Sequence, residues 1–255
     1  MPNCQAISVT ILTKNSAKYL HEVLSALQAF GEVLIYDTGS TDATLEIAQQ
    51  FPNACIYRAK FEGFGPTHNL ATSLAKNDWV LSLDSDEIAT PQMVQTIANL
   101  QLEPACVYSF ARHNFYNGKW IKGCGWYPDR QFRLYHRKKT RFTDAQVHEC
   151  IITEGLRHQP LKAHLKHYSY GSASDFLAKM QSYSELFARQ NTGIKTSSVA
   201  KAIGHALFAF FKSYLIKRGF LDGGEGLIIS VYNANTAFYK YIKLQEYNRR
   251  FFTPE

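Results

Sequence analysis

None of the five cysteines (Cys4, Cys55, Cys106, Cys124 and Cys150) stands in a C-x-x-C pair, and their number is odd. Neither a disulfide framework nor a zinc ribbon is indicated, and a reducing cytoplasm is the expected setting. The opening MPNCQAISVTILTKN has no basic segment ahead of a long apolar core, so it does not read as a secretory signal. No G-x-G-x-x-G turn follows the first apolar run, and no Walker phosphate loop is present, so a nucleotide must be held without a glycine-rich turn. Internal repeats and low-complexity segments are lacking too. What remains is ordinary globular composition, with 255 residues, 45% hydrophobic and 19% charged. That excludes a disordered or collagen-like chain and suits one large α/β domain, or one with an appendage.

The net charge of +7 is unevenly distributed. Residues 1–111 carry 5 basic and 11 acidic side chains, net −6. Residues 112–188 carry 13 and 6, net +7, and residues 189–255 carry 10 and 4, net +6. This suits a chain that holds a cation early and meets something anionic with the rest; chance partition of surface charge is the plainer alternative. A nucleic-acid partner is not expected, because the first part is acidic and no recognisable binding motif occurs.

Residues 7–11 alternate apolar and polar as a strand does. Leu20, Val23, Leu24, Leu27 and Phe30 follow at helical spacing, and 33–36 is a continuous apolar run suited to a buried parallel strand. Further strands are expected at 54–57 and 79–83, with helices between. This rhythm predicts an α/β fold with a doubly wound, mainly parallel sheet. The segment 105–168 is aromatic, glycine-containing and basic, and reads as strands and loops added to the sheet edge. Beyond Ser172 the pattern is helical. The link 191–198 suggests a catalytic domain over 1–190 and a helical C-terminal extension over 191–255.

Ligands of open α/β sheets sit at the carboxyl ends of the strands. Three such ends carry polar clusters: Thr13-Lys14-Asn15, Asp37-Thr38-Gly39-Ser40 and Asp84-Ser85-Asp86-Glu87. Two carboxylates one residue apart suit a divalent cation: one can hold a ribose hydroxyl while the other binds Mg²⁺ or Mn²⁺. The D-x-D triplet is common on surface loops, but here it directly follows a buried strand. Its structural alternative is a cap for a helix beginning near Pro91. Trp126, Asp129, Gln131 and Arg133 gather aromatic, acidic and basic groups in a short span. Aromatic faces suit the C–H surfaces of sugars and Arg suits phosphate, with packing of Trp126 in the core as the alternative.

The segments ISVTILTKNSAKYL, VLIYDTGSTDATLEIA, GFGPTHNLATSLAKNDWVLSLDSDE, GCGWYPDRQFRLY, QVHE and LKHYSYG together resemble family-2 glycosyltransferases of the GT-A fold. They recur in order over most of residues 7–171. Within that family the chain most resembles lipopolysaccharide core transferases that add β-glucose to inner-core heptose, and FFKSYLIKRGFLDGGEGL supports this. The resemblance implies that Thr13 and Asn15 line a uracil and ribose pocket and that Asp37 bonds base or ribose. Asp84 would touch the ribose, with Ser85 and Asn69 also on the donor side. Asp86 would coordinate the metal and His167 would add a metal or diphosphate contact, unless it is a satisfied strand histidine. Glu149 would be the catalytic base, with His148 orienting it; a surface salt bridge is the alternative for Glu149. Many relatives have Arg-Asn where this chain has His68-Asn69, so His68 must treat the nucleotide differently or not at all.

The implied activity is metal-dependent, inverting transfer of a hexose, best read as glucose from UDP-glucose to an inner-core heptose. The lipopolysaccharide core is acidic, which suits the basic later segments. The resemblance also makes Trp126, Asp129, Gln131 and Arg133 candidates for the acceptor side. A capsule, exopolysaccharide or protein acceptor is the alternative, and a metal-dependent nucleotidyltransferase a more distant one. The expected place is the cytoplasmic face of the inner membrane, with the chain held peripherally. In 199–217 no uninterrupted apolar run approaches the ~18–20 residues needed to cross a bilayer. Lys201, His205 and Lys212 form a narrow polar stripe, with Ile203, Leu207, Phe210, Phe211 and Tyr214 opposite. Such helices either lie in a membrane interface or cover the catalytic domain or a dimer partner.

Overall fold

The computed structural model describes residues 2–146 and 149–252, and the chain divides into two compact units. One comprises Met1–Arg112 with Asp129–His167, the other His113–Pro128 with Tyr168–Glu255.

In the first unit a short α1 (Pro2–Gln5) precedes β1 (Ile7–Thr13). After α2 (Ala17–Ser25) come β2 (Glu32–Asp37), α3 (Thr44–Ala48), β3 (Ala54–Arg58), α4 (Phe64–Leu74) and β4 (Trp79–Asp84). The four strands are parallel in the order β3-β2-β1-β4. Every residue of β2 is buried, as expected for an interior strand covered on both faces. Val9, Ile11, Leu34, Ile35 and Leu81 are fully buried, each contributing about 1.5–3 kcal/mol of transfer free energy. Leu20, Val23 and Leu24 form the buried stripe of α2. The register sets Thr13 beside Asp37 and Leu12 beside Asp84, so the polar strand ends meet at one edge.

Beyond β4 the sheet changes direction. β8 (Arg130–His136) pairs antiparallel with β4, and β6 (Cys106–Tyr116) pairs antiparallel with β8. The order continues to β9 (Arg157–His167) and the short β5 (Glu87–Ala89). Pairing of β5 with β9 sets Glu87 opposite His167, two parts of the chain 80 residues apart in sequence (167 − 87). α5 (Pro91–Ala98) is capped by Thr90, whose Oγ1 accepts the Met93 N–H at 3.3 Å, with proline in the first turn. Thr90 therefore serves the capping role considered for the D-x-D carboxylates.

In the second unit the end of β6 pairs with β7 (Lys119–Trp120). Tyr116, Ile121, Cys124, Phe176 and Ile229 form a buried cluster, with Trp126, Tyr170 and Tyr232 packed on it. α6 (Ala173–Asn191) begins with a capping box of Ser172 and Asp175. α7 (Val199–Phe211) runs into a π-helical turn, Lys212–Ile216, and then through a 3-10 turn, Gly219–Asp222, to α8 (Gly223–Phe252).

The face that α7 and its π turn bury is narrow and made of small residues. Only Ala202 and Ser213 are buried, and Ser213 Oγ receives hydrogen bonds from Ser230 and Asn233 of α8, each 3.0 Å. The large apolar side chains Ile203, Leu207, Phe208, Phe211, Leu215 and Ile216 are exposed. Val199–Ile216 has 18 residues, a mean hydropathy of 1.3 and 11% of its residues buried. By length and composition it is long and apolar enough to cross a bilayer, although Lys201 and Lys212 interrupt the apolar run.

Candidate active site

Asp37, at the end of β2, is fully buried. Its carboxylate accepts bonds from Thr13 Oγ1 (3.1 Å), Ser40 Oγ (2.5 Å), Gly39 N–H (3.2 Å) and Ser40 N–H (3.1 Å). Burial pushes its carboxyl up, but these hydrogen bonds, led by Ser40, hold it below the usual carboxylate range. Gly39 has φ +105°, a conformation costly for side-chain-bearing residues, and permits the tight turn. Asn15 is tied to this turn: its N–H donates to Ser40 Oγ (2.9 Å) and its Oδ1 accepts the Thr41 N–H (2.8 Å). Ser85 Oγ accepts from Ser16 Oγ at 2.9 Å. A cavity of about 350 Å³ is lined here by Thr13, Ser16, Thr38, Phe61, Phe64 and Ser85. Polar strand ends and two phenyl rings together in one lining suit a planar, hydroxylated ligand.

Next to it, Asp84, Asp86 and His167 can offer ligand atoms that all lie within 4.8 Å of one another. His167 Nε2 is 3.6 Å from Asp86 Oδ1. Burial lowers the His167 pKa to about 4 against the pull of Asp86, so the ring is neutral at physiological pH. Two carboxylate oxygens and a neutral imidazole nitrogen form a donor set that fits Mg²⁺ or Mn²⁺. Burial raises the Asp84 carboxyl, but Arg133 and other neighbouring cations bring it well below its usual range, which keeps it ionised.

Arg133 stands elsewhere than the acceptor group to which its sequence position assigns it. It is 7% exposed, and its Nη2 donates to Asp84 and to Glu87, each at 2.5 Å. Arg112 Nη1 lies 3.3 Å from Glu87 and 3.8 Å from Asp84, while its Nη2 meets Asp129 at 2.8 Å. Gln131 Nε2 donates to Asp129 Oδ1 at 2.8 Å. The two arginines thus lock the D-x-D turn to β6 and β8. Trp126 stacks on Tyr170 (5.3 Å between ring centroids) in the second unit. Burial and the neighbouring Asp84 push the Glu87 carboxyl up despite Arg133. Even with Glu87 set aside, the carboxylates Asp84, Asp86 and Asp129 outnumber the two guanidiniums, leaving the cluster attractive to a further cation.

Glu149 lies near His68 of α4. The His68 ring is buried, stacked on Phe142 at 4.4 Å, with Nδ1 3.3 Å from Ser82 Oγ and Nε2 3.9 Å from Glu149 Oε1. Burial lowers its pKa to about 4, so it faces Glu149 as a neutral ring. Asn69 clips the same region: its Nδ2 donates to the Phe142 carbonyl (3.0 Å) and its Oδ1 accepts the Phe142 N–H (2.9 Å). Both ends of the side chain assigned to donor binding are thus engaged by protein backbone. The Phe64 and Gly65 N–H groups donate to the carbonyls of Gln146 and Ala145. A Cβ at Gly65 would fall 1.9 Å from the Thr143 carbonyl oxygen, so only glycine allows this approach. His148 lies outside the described residues.

The sequence reading missed Arg112, the pairing of Glu87 with Arg112 and Arg133, and the buried place of His68. A signal existed for the first: Arg112 and Arg133 each interrupt an apolar strand, and a buried charge requires a partner.

The profile described as "Glycosyl transferase family 2" matches residues 8–164. An uncharacterized glycosyltransferase of Rickettsia felis is 27% identical over 266 residues, covering 95% of this chain and 90% of its own. A lipopolysaccharide core biosynthesis glycosyltransferase of Rhizobium meliloti is 25% identical over 197 residues, covering 72% of this chain and 71% of its own. A crystal structure of S. aureus TarS with UDP-GlcNAc is similar at TM-score 0.47 and 15% identity, over 96% of this chain and 91% of that one. With its mixed α/β sheet and its helical C-terminal extension, the chain belongs to glycosyltransferase family 2 and is a sugar transferase.

Proposed function

We propose that the chain transfers a hexose from a UDP-sugar, best read as UDP-glucose, to an inner-core heptose of lipopolysaccharide. The observation that carries the donor half is the convergence of Asp84, Asp86 and His167 beside the cavity under Phe61 and Phe64. Thr13, Asn15, Asp37 and Ser85 form or brace that cavity for the nucleoside; Asp84 takes the ribose side. Asp86 and His167 hold Mg²⁺ or Mn²⁺. When bound, the cation supplies positive charge against the departing diphosphate. Arg133 and Arg112 keep the D-x-D turn in place.

Glu149 accepts the proton of the acceptor hydroxyl, and the resulting nucleophile attacks the anomeric carbon from the face opposite UDP. An α-linked donor then gives a β-linked product. The neutral His68 ring 3.9 Å away adds no positive charge beside Glu149. The acceptor assignment is supported by the name of the Rhizobium relative and by the net +7 of residues 112–188. An acceptor in the lipopolysaccharide core suits a chain held peripherally at the cytoplasmic face of the inner membrane.

The test is release of UDP from a panel of UDP-, GDP-, CMP- and dTDP-sugars, with and without Mn²⁺, on heptose-terminated core oligosaccharide. UDP release restricted to UDP-glucose with heptose present is expected. Pyrophosphate release, or turnover only on another acceptor class, overturns the reading.

A further inference from the structure

The second unit carries a site for which donor chemistry has no use. A cavity of about 420 Å³ is lined by Lys122, Tyr127, Ile216, Lys217, Arg218 and Leu221, together with Gly123 and Asp222. Among the described residues, none of the three cations has a carboxylate partner at ion-pair distance. Lys122 instead lies over the Trp120 ring at 4.5 Å. The carboxylate on the wall is already engaged: Asp222 is 5% exposed and accepts the N–H groups of Gly123 (2.6 Å) and Lys122 (3.4 Å). Arg218 adopts φ +54° just where the π turn ends. That left-handed conformation is unfavourable for a side-chain-bearing residue, and such strain concentrates at functional sites.

The rim of this basic cavity is apolar. Ile216 and Leu221 are each 68% exposed, and Leu215, Phe220, Phe211 and Phe208 continue the surface at 47–60%. A free phosphate accounts for the cations and leaves the rim unexplained. An uncharged apolar partner accounts for the rim and leaves the cations unpaired. A second copy docked face to face would set Lys217 and Arg218 against themselves, since a two-fold interface pairs a patch with its own image. One chemistry satisfies both parts.

We propose that this surface docks on a bilayer of anionic phospholipid, with a headgroup phosphate in the cavity of Lys122, Lys217 and Arg218. Ile216, Leu221 and the neighbouring phenyl rings enter the acyl boundary. Lysine and arginine at a membrane surface are attracted to anionic lipid while their stems lie along apolar neighbours. The inference deepens the peripheral-membrane part of the proposed function, rests on that part and is independent of the donor sugar.

The test uses the full chain in flotation with vesicles of phosphatidylcholine, with and without phosphatidylglycerol. The variants are Lys217→Glu with Arg218→Glu, and Ile216→Ser with Leu221→Ser, all at exposed positions. Mn²⁺-dependent UDP binding reports folding of each variant and tests the donor site separately. Wild type should bind phosphatidylglycerol vesicles at least tenfold more tightly than phosphatidylcholine alone, and each double variant should lose at least tenfold while retaining UDP binding. Equal binding to both vesicle types, or charge reversal without effect, overturns the proposal. So does displacement by millimolar inorganic phosphate with the Ser variant unaffected, which assigns the cavity to a soluble anion. Self-association in sedimentation that disappears in the Ser variant, with no vesicle binding by wild type, assigns the surface to a second copy and overturns it as well.

Discussion

Arg133→Met removes a cation that is 7% exposed and lies 2.5 Å from both Asp84 and Glu87. Glu87 is fully buried and burial already pushes its carboxyl up, so the variant removes the main positive charge that favours its ionised form in the interior. Breaking a buried pair from one side costs about 3–5 kcal/mol. Arg112 remains 3.3 Å from Glu87, which favours the low end, about 3 kcal/mol. For a chain of this size each kcal/mol lowers Tm by about 2–4 °C, so a fall of roughly 6–12 °C is expected. The assay is metal-free thermal unfolding of wild type, Arg133→Met, Glu87→Gln and the double variant. Glu87→Gln removes the charge that Arg133→Met strands, so the double variant should recover much of the loss, with a coupling of roughly 0.5–3 kcal/mol. An Arg133→Met protein within about 1 kcal/mol of wild type, or an additive cycle, would refute the assignment of Arg133 as the partner of a buried charge.

Asp86→Asn should abolish the enhancement of UDP binding by Mn²⁺, read by calorimetry, while circular dichroism stays unchanged; metal-enhanced binding equal to wild type removes Asp86 from the site. Glu149→Gln keeps size but accepts no proton, so turnover should fall ~10²–10⁴-fold with donor affinity nearly constant. Asp144→Asn, which alters only an exposed pair with Arg141, should turn over normally, and the reverse pattern would exchange the two roles. Gly65→Ala forces a Cβ against the Thr143 carbonyl, so turnover should drop while Mn²⁺-dependent UDP binding persists. Normal turnover in that variant would show that the contact does not position Glu149.

The parallel half of the sheet was legible because its inner strands β1, β2 and β4 are largely buried, and a short continuous apolar run such as Val33–Tyr36 suits an interior strand. The strand ends were legible for the same reason: polar residues just past a buried run must stand at the sheet's edge. The antiparallel half was readable only as added strands, since pairing β5 with β9 joins residues 80 apart and no local pattern encodes that (167 − 87). The contact of Arg133 with Asp84 and Glu87 was not legible, because its sequence neighbours Trp126 and Asp129 suggest sugar contact and its partners lie 49 and 46 residues away in the chain (133 − 84, 133 − 87). The helix at 199–216 shows the limit of amphipathic reasoning. Its wheel gives two faces, but Ala202 and Ser213 decide which is buried, and they pack by smallness.

The double hydrogen bond between Asn69 and Phe142 has an evolutionary consequence. Attachment to α4 at Gly65 and Asn69 fixes the entry of the segment that bears Glu149, and the parallel strands fix the nucleotide end separately. Residues between those anchor points can change length or character without disturbing the strand ends that face the nucleotide. A lineage can thus exchange one acceptor for another through insertions between β8 and β9 while inheriting its donor pocket intact. Homologues with different acceptors should then diverge most between the anchors and least at them.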